Sequence, residues 1–340
     1  MSAPYPWLAE PWAELTGRAA RDNLGHAYLL CGREGLGKYA LAEAFARGLL
    51  CEARPPDGQA CGTCRGCVLN MSGNHPDLKR VSPEEERKSI VVDQIRDLIE
   101  FFTLKAHYHG RKIGLVHPAD TMNTAAANAL LKILEEPPGA ALLILVANRP
   151  ALLPATVHSR CQRLNFVMPS WGLREQWLAE QLANRASAPA LNEITLCGAP
   201  LEVLAQLDSP RPRLINDIIA TLRGALETGF NPLESARGFA DVDPRRFLDA
   251  LELTVQAALQ LGAGHAPAQL RMPSSCQRQL QEISDNLHFG DLLTYLDQVA
   301  ASRAIVLRSS GVRGAEVIEN LWQGWMKTTQ MENAPHERSR

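Results

Sequence analysis

The chain has 340 residues, a formal net charge of −2, and 46% hydrophobic against 21% charged residues. That length calls for two or three modules, and the composition excludes wholesale disorder. The near-neutral charge excludes binding to nucleic acid or membrane through bulk charge, so any DNA contact has to be local or made inside a larger assembly.

No apolar run approaches the length of a bilayer-spanning helix, and the opening MSAPYPWLAEPW has neither a basic leader nor an apolar core. These features predict a cytoplasmic protein with no membrane partner. In a reducing compartment the eight cysteines read as metal ligands or buried thiols before they read as disulfides.

HAYLLCG (26–32) is a short apolar run that predicts a buried strand. GREGLGKY (32–39) follows, then YALAEAFARGLL (39–50), where Leu41, Ala44, Phe45, Gly48 and Leu49 fall at helical spacing. Strand, glycine loop and helix are the setting of a phosphate-binding P-loop, G-x-x-x-x-G-K-[ST]. Gly32, Gly35, Gly37 and Lys38 match it and form a degenerate nucleotide loop, because Tyr39 stands where the magnesium-binding hydroxyl should be. Whether the loop keeps ATP or ADP stays open.

Cys51, Cys61, Cys64 and Cys67 form C-x9-C-x2-C-x2-C among Pro, Gly and Asp residues that build tight turns. Four thiolates with no open position favour one structural Zn2+. An iron–sulfur cluster is the rival, but Val68, Leu69 and Asn70 do not continue a ferredoxin pattern. His75, Pro76 and Asp77 read as a turn fixing the exit of this module. Cys31, Cys161, Cys197 and Cys276 are scattered and read as buried thiols.

RKIGLVHPAD (111–120) predicts a second strand. A nucleotide hydrolase needs carboxylates just after it to hold the metal and direct water, and here stand His117 and Pro118. Asp120 lies three residues past the metal position and reads as a helix N-cap or surface loop residue. NTAAANALLKILEEPP (123–138) predicts a helix with Leu130, Leu131 and Leu134 buried and Lys132, Glu135 and Glu136 solvated. ALLILVANRP (141–150) predicts a third strand, apolar throughout as parallel strands covered on both faces are.

Beyond residue 166 the strand signals fade and polar-faced helices run to the C-terminus, with breaks at Pro200, Pro210 and Pro212. The expected division is an α/β domain over 1–166, a small helical module over 167–207, a larger one over 208–334 and a polar tail, 335–340. Val317, Ile318, Leu321, Trp322 and Trp325 form a helical stripe that predicts core.

In order, HAYLL, the cysteine module, NHPDL (74–78), NALLKILEEPP (128–138), LLILVAN (142–148) and TVHSRCQ (156–162) resemble the AAA+ clamp-loader subunits of bacterial DNA polymerase III. The resemblance is dense to about residue 166 and thin beyond. It implies a RecA-like AAA+ domain with a parallel sheet, followed by two all-α domains, a small lid and a helical collar. It also implies a hetero-pentamer with gamma/tau and delta subunits, acting with the sliding clamp and primed DNA.

Within that family, Arg160 of the Ser159-Arg160-Cys161 motif would be an arginine finger reaching the ATP of a neighbouring subunit. Asn123, Thr124 and Asn128 would lie near the DNA backbone. Gly198-Ala199-Pro200-Leu201 aligns with a nucleotide-sensing G-S-x-R, so Leu201 stands for that arginine, and His158 takes a position often basic in relatives. The lost metal machinery implies no intrinsic ATPase or polymerase activity, only membership of a DNA-directed DNA polymerase holoenzyme, a nucleotidyltransferase complex. Two other readings remain: an active clamp-loader-type ATPase using Asp120 or a relocated magnesium site, and a stand-alone zinc-containing DNA-binding module.

Overall fold

The structure is a computed structural model describing residues 3–53, 55–84, 89–108, 111–183, 198–207, 213–227, 229–270, 272–308 and 314–330. Cys197, Pro210, Pro212 and the tail lie outside these. The chain forms two compact units, Met1–Arg174 with Ala199–Leu201, and Glu175–Gly198 with Glu202–Arg340.

The first unit runs α1 (Ala9–Ala20), β1 (Ala27–Cys31), α2 (Lys38–Leu49), α3 (Arg65–Met71), β2 (Leu78–Val81), α4 (Val92–Thr103) and β3 (Ile113–Val116). It continues through α5 (Thr124–Glu135), β4 (Leu142–Ala147), α6 (Ala155–His158), β5 (Gln162–Asn165) and the start of α7 (Trp171–Ala183). The five strands pair in parallel in the order β2-β3-β4-β1-β5.

Alternation along β1 explains why its run is unbroken in apolarity. Tyr28 and Leu30 face Trp12, Leu41 and Phe45 of α1 and α2, whereas Ala27, Leu29 and Cys31 face Ile95, Leu98 and Leu130 of α4 and α5. Both faces are covered, so neither can be polar. The two edge strands, β2 and β5, gave no comparable signal. β5 reads Gln-Arg-Leu-Asn and buries only Leu164.

Asn123 caps α5, its side-chain oxygen accepting from Ala126 N at 2.8 Å. Leu130 and Leu134 are buried as expected, and Ala126, Ala127 and Ile133 with them, while Leu131 is only partly buried against the same core.

The second unit contains α8 (Pro200–Leu207) from Glu202 onward, α9 (Leu214–Gly224), α10 (Pro232–Arg237), α11 (Pro244–Gly262), α12 (Ser274–Asp285), α13 (Phe289–Arg308) and α14 (Gly314–Gln330). The stripe Val317, Ile318, Leu321, Trp322 and Trp325 is buried in its core. Trp325 Nε1 donates to Leu222 O at 3.0 Å, so a large aromatic is buried with its polar atom satisfied.

The His75-Pro76-Asp77 turn does more than end the cysteine module. Asp77 is fully buried, and its carboxylate accepts backbone N–H groups of His107 (2.9 and 3.1 Å) and Tyr108 (2.8 Å), with Lys112 Nζ at 3.5 Å. Burial alone would raise its pKa, but these donors outweigh burial and hold it below the ordinary carboxylate value. Asp77→Asn is expected to cost about 1–3 kcal/mol. Because the folded pKa is depressed, that contribution is complete above the ordinary carboxylate range and drains away as pH falls through it. Calorimetric melting of both forms should therefore show a gap at neutral pH that closes in acid; a gap independent of pH would refute the assignment.

Candidate functional site

The glycine loop joins β1 to α2, with Gly32 N bonded to Ala147 O of β4 at 3.3 Å. Gly37 has a φ of +80°, and a Cβ there would meet the Tyr5 ring at 2.5 Å, so only glycine fits under the N-terminal segment. Trp7 Nε1 donates to Leu36 O at 2.9 Å and its ring stacks on Tyr5. Leu201 N donates to Gly35 O at 3.2 Å, so an apolar residue stands beside the loop.

Lys38 is 3% exposed and its ammonium is held by the chain itself, donating to Arg33 O at 2.6 Å and to Asn148 Oδ1 at 2.9 Å. Asn148, the residue ending LLILVAN, was not singled out in the sequence; only the sheet order brings the end of β4 beside α2.

Tyr39 stacks on His117, ring centroids 4.7 Å apart and planes 26° from parallel. Burial, reinforced by nearby Lys38, pushes the His117 pKa down, so the imidazole is neutral at neutral pH. Burial and Glu43 push the Tyr39 phenol up. Behind them Arg80 makes a forked pair with Glu43, at 2.6 and 3.1 Å. An uncharged aromatic pair is thus formed by the residues at the two sequence positions where a P-loop hydroxyl and a carboxylate are expected.

Asp120 does not substitute. It is neither a helix cap nor a surface residue, which corrects the expectation from sequence. Its carboxylate is buried, accepts from Asn148 N at 2.7 Å and lies 3.5 Å from Arg149 Nε. Both oxygens are committed to holding the end of β4 that in turn holds Lys38.

Ser159-Arg160-Cys161 follows α6. Cys161 is partly buried against the core, and burial pushes its thiol up to about 12. The Arg160 side chain is 35% exposed, with Nη2 2.7 Å from Glu135 Oε1 and Nη1 3.1 Å from Thr156 O. Glu135 is therefore engaged rather than simply solvated. Asn123, Thr124 and Asn128 are exposed at the opposite end of α5. His158 Nε2 lies 2.8 Å from Pro150 O, so this ring is tied to the backbone.

The four cysteines of the module converge, with ligand atoms all within 4.8 Å of one another. Cys51 and Cys64 sulfurs are 4.0 Å apart and those of Cys61 and Cys67 3.8 Å. Tetrahedral zinc with bonds near 2.3 Å requires sulfur separations of about 3.8 Å, so the donor set fits that ion. Backbone N–H groups of Cys61, Cys64 and Cys67 point at the sulfurs of Cys51, Cys61 and Cys64 at 3.3–3.4 Å, orienting the ligands as outer-shell donors do. Donation from the Thr63 and Cys64 backbone pulls Cys61 down to about 6, whereas burial pushes Cys67 up to about 12.

Among the described residues no helix is long and apolar enough to cross a membrane. The family model described as DNA polymerase III, delta subunit, matches residues 8–170. A Pseudomonas aeruginosa DNA polymerase III subunit delta' is 45% identical over 59% of this chain and 60% of its own length. The subunit of the same name from Yersinia pestis is 36% identical over 65% of this chain and 66% of its own. These matches leave about a third or more of each relative uncovered. A solved gamma subunit-related protein of DNA polymerase III from Thermotoga maritima covers 93% of this chain and 99% of its own, with a TM-score of 0.46 and 16% identity. That likeness is loose, so the assignment rests on the sequence relatives. Residues 8–170 accordingly match the DNA polymerase III delta-subunit family, and the curated chains to which the protein is similar are delta-prime subunits of DNA polymerase III.

Proposed function

We propose that this chain is a non-hydrolysing, delta-prime-type subunit of a bacterial clamp loader. It assembles with gamma/tau and delta subunits, helps place the sliding clamp on primed DNA, and lends Arg160 to the ATP site of a gamma/tau neighbour. In this reading residues 167–207 serve as lid and 208–334 as the collar through which the subunits assemble. The cysteine module, holding one zinc ion, stiffens the excursion between α2 and β2.

One observation carries the reading: the Tyr39–His117 stack takes up the two sequence positions expected to hold the metal ion while Ser159-Arg160-Cys161 remains intact and accessible. Charge stabilisation of a transferring phosphoryl group by an arginine does not need a working site in the same chain. The alternative of a self-sufficient ATPase is disfavoured by the commitments of Asp120 and Lys38.

The test is reconstitution. Purified chain with ATP and magnesium should release no phosphate, whereas gamma/tau and delta subunits should gain DNA-stimulated ATPase, and mass, when it is added. Turnover by the chain alone, abolished by Lys38→Ala, would reverse the conclusion.

A further inference from the structure

Glu135 sits where a helix does not favour it. It closes α5 and is followed by Glu136, two carboxylates at the negative end of the helix dipole, while the first turn of the same helix has no acid. Its side chain is 51% exposed, so burial does not explain it. A residue that breaks a local rule without an evident packing gain directs attention to what it touches.

What it touches is Arg160. Oε1 of Glu135 lies 2.7 Å from Nη2, while Nη1 donates to Thr156 O at 3.1 Å and Ser159 Oγ at 3.3 Å. The guanidinium is thus held from two segments, the end of α5 and the turn of α6. An arginine presents five donors in a fixed plane. The hydrogen bonds use Nη1, the ion pair engages Nη2, and among the described residues Nε has no partner. Nε–H is left over as a charge-assisted donor suited to a phosphate oxygen.

Resting on the reading of Arg160 as a finger, we propose that Glu135 is its positioning residue. Glu135 fixes the rotamer of the long side chain before the neighbouring subunit arrives, so the guanidinium meets the nucleotide with its Nε–H already aimed. α5 makes the anchor firm. Leu130, Ile133 and Leu134 seat the helix on the sheet, and His26 Nε2 lies 3.2 Å from the Leu134 carbonyl. Both partners are half exposed, so the pair can also yield if docking demands it.

The experiment uses the assembled complex with primed DNA, following single-turnover ATP hydrolysis and complex mass for wild type, R160A, E135A, E135Q and E135A/R160A. The readout is the hydrolysis phase that R160A removes. E135A should slow that phase about tenfold, as a misplaced catalytic group does, with half-saturating ATP unchanged within about twofold. E135Q keeps an acceptor in the same place and should recover part of the loss. In the R160A background, E135A should add nothing.

A normal phase in E135A, with R160A slow, overturns the positioning role and leaves the finger standing. R160A with every phase intact removes the finger, and this inference with it. Loss of assembled mass in both E135A and E135Q, or an added defect in the R160A background, makes Glu135 a structural residue and overturns the proposal.

Discussion

Arg160→Ala, built into the assembled complex, is expected to remove one phase of DNA-stimulated ATP hydrolysis and leave the complex mass unchanged. An arginine supplied in trans to a transferring phosphoryl group is worth about 10³–10⁵ in rate, so the site it faces should fall silent on the timescale of the others. Steady-state turnover should fall by less, because sites completed by other subunits keep their own rates; single-turnover measurement separates the phases. Assembly should survive because the pair broken is an exposed one with Glu135, worth about 0–1 kcal/mol. Arg160→Lys should resemble Arg160→Ala more than wild type, since an ammonium retains charge but not the planar fork. Full hydrolysis by R160A complexes would end the arginine-finger reading while leaving the family assignment untouched.

The fold of the first unit was legible where burial on both faces forced continuous apolar runs, as in β1 and β4, and where helix spacing was strong, as in α2 and α5. β2 and β5 were not, because edge strands alternate or turn polar and resemble loops in one dimension. The proposed loss of magnesium chemistry was legible as two separate departures from the P-loop pattern, at Tyr39 and at His117-Pro118. That these positions meet as one stacked pair follows from the placement of β3 and α2 about the sheet, which no local window contains.

Asp120 shows the same limit from the other side. An acid two residues after a proline has the pattern of a surface turn residue, yet the Asp120 carboxylate is buried and accepts the backbone N–H of Asn148. Glu135 was read as a solvated helix end because its partner lies beyond the next strand. The cysteine cluster needed no such help, since its close spacing is itself the geometry.

Removing metal from the cysteine module is expected to have the largest effect on stability. Structural zinc sites of this type contribute about 10–16 kcal/mol of apparent binding free energy, and little else holds residues 51–71 together. α3 is a helix of 7 residues capped by Cys64, one of the four candidate ligands, and helices that short do not persist alone. The excursion touches the rest of the unit at few points. Trp12 Nε1 of α1 donates to Asp57 O at 3.1 Å, while Gly66 N donates within the excursion, to Glu52 Oε1 at 3.2 Å. Gly48 of α2 lies under the Gly58 carbonyl, where a Cβ would come within 1.9 Å.

A chelator should therefore release about one zinc per chain, expose the four thiols to an alkylating reagent and change the fluorescence of Trp12, while the sheet persists. Cys64→Ser should reproduce this without chelator, because it removes a ligand and the α3 cap together. Its far-ultraviolet circular dichroism should lose only a few residues of helix, which distinguishes local release from global unfolding. Iron in place of zinc, seen as visible absorption, would change the ion and keep the site. Purified chain free of metal, with its four thiols unreactive, would remove the metal from this fold altogether.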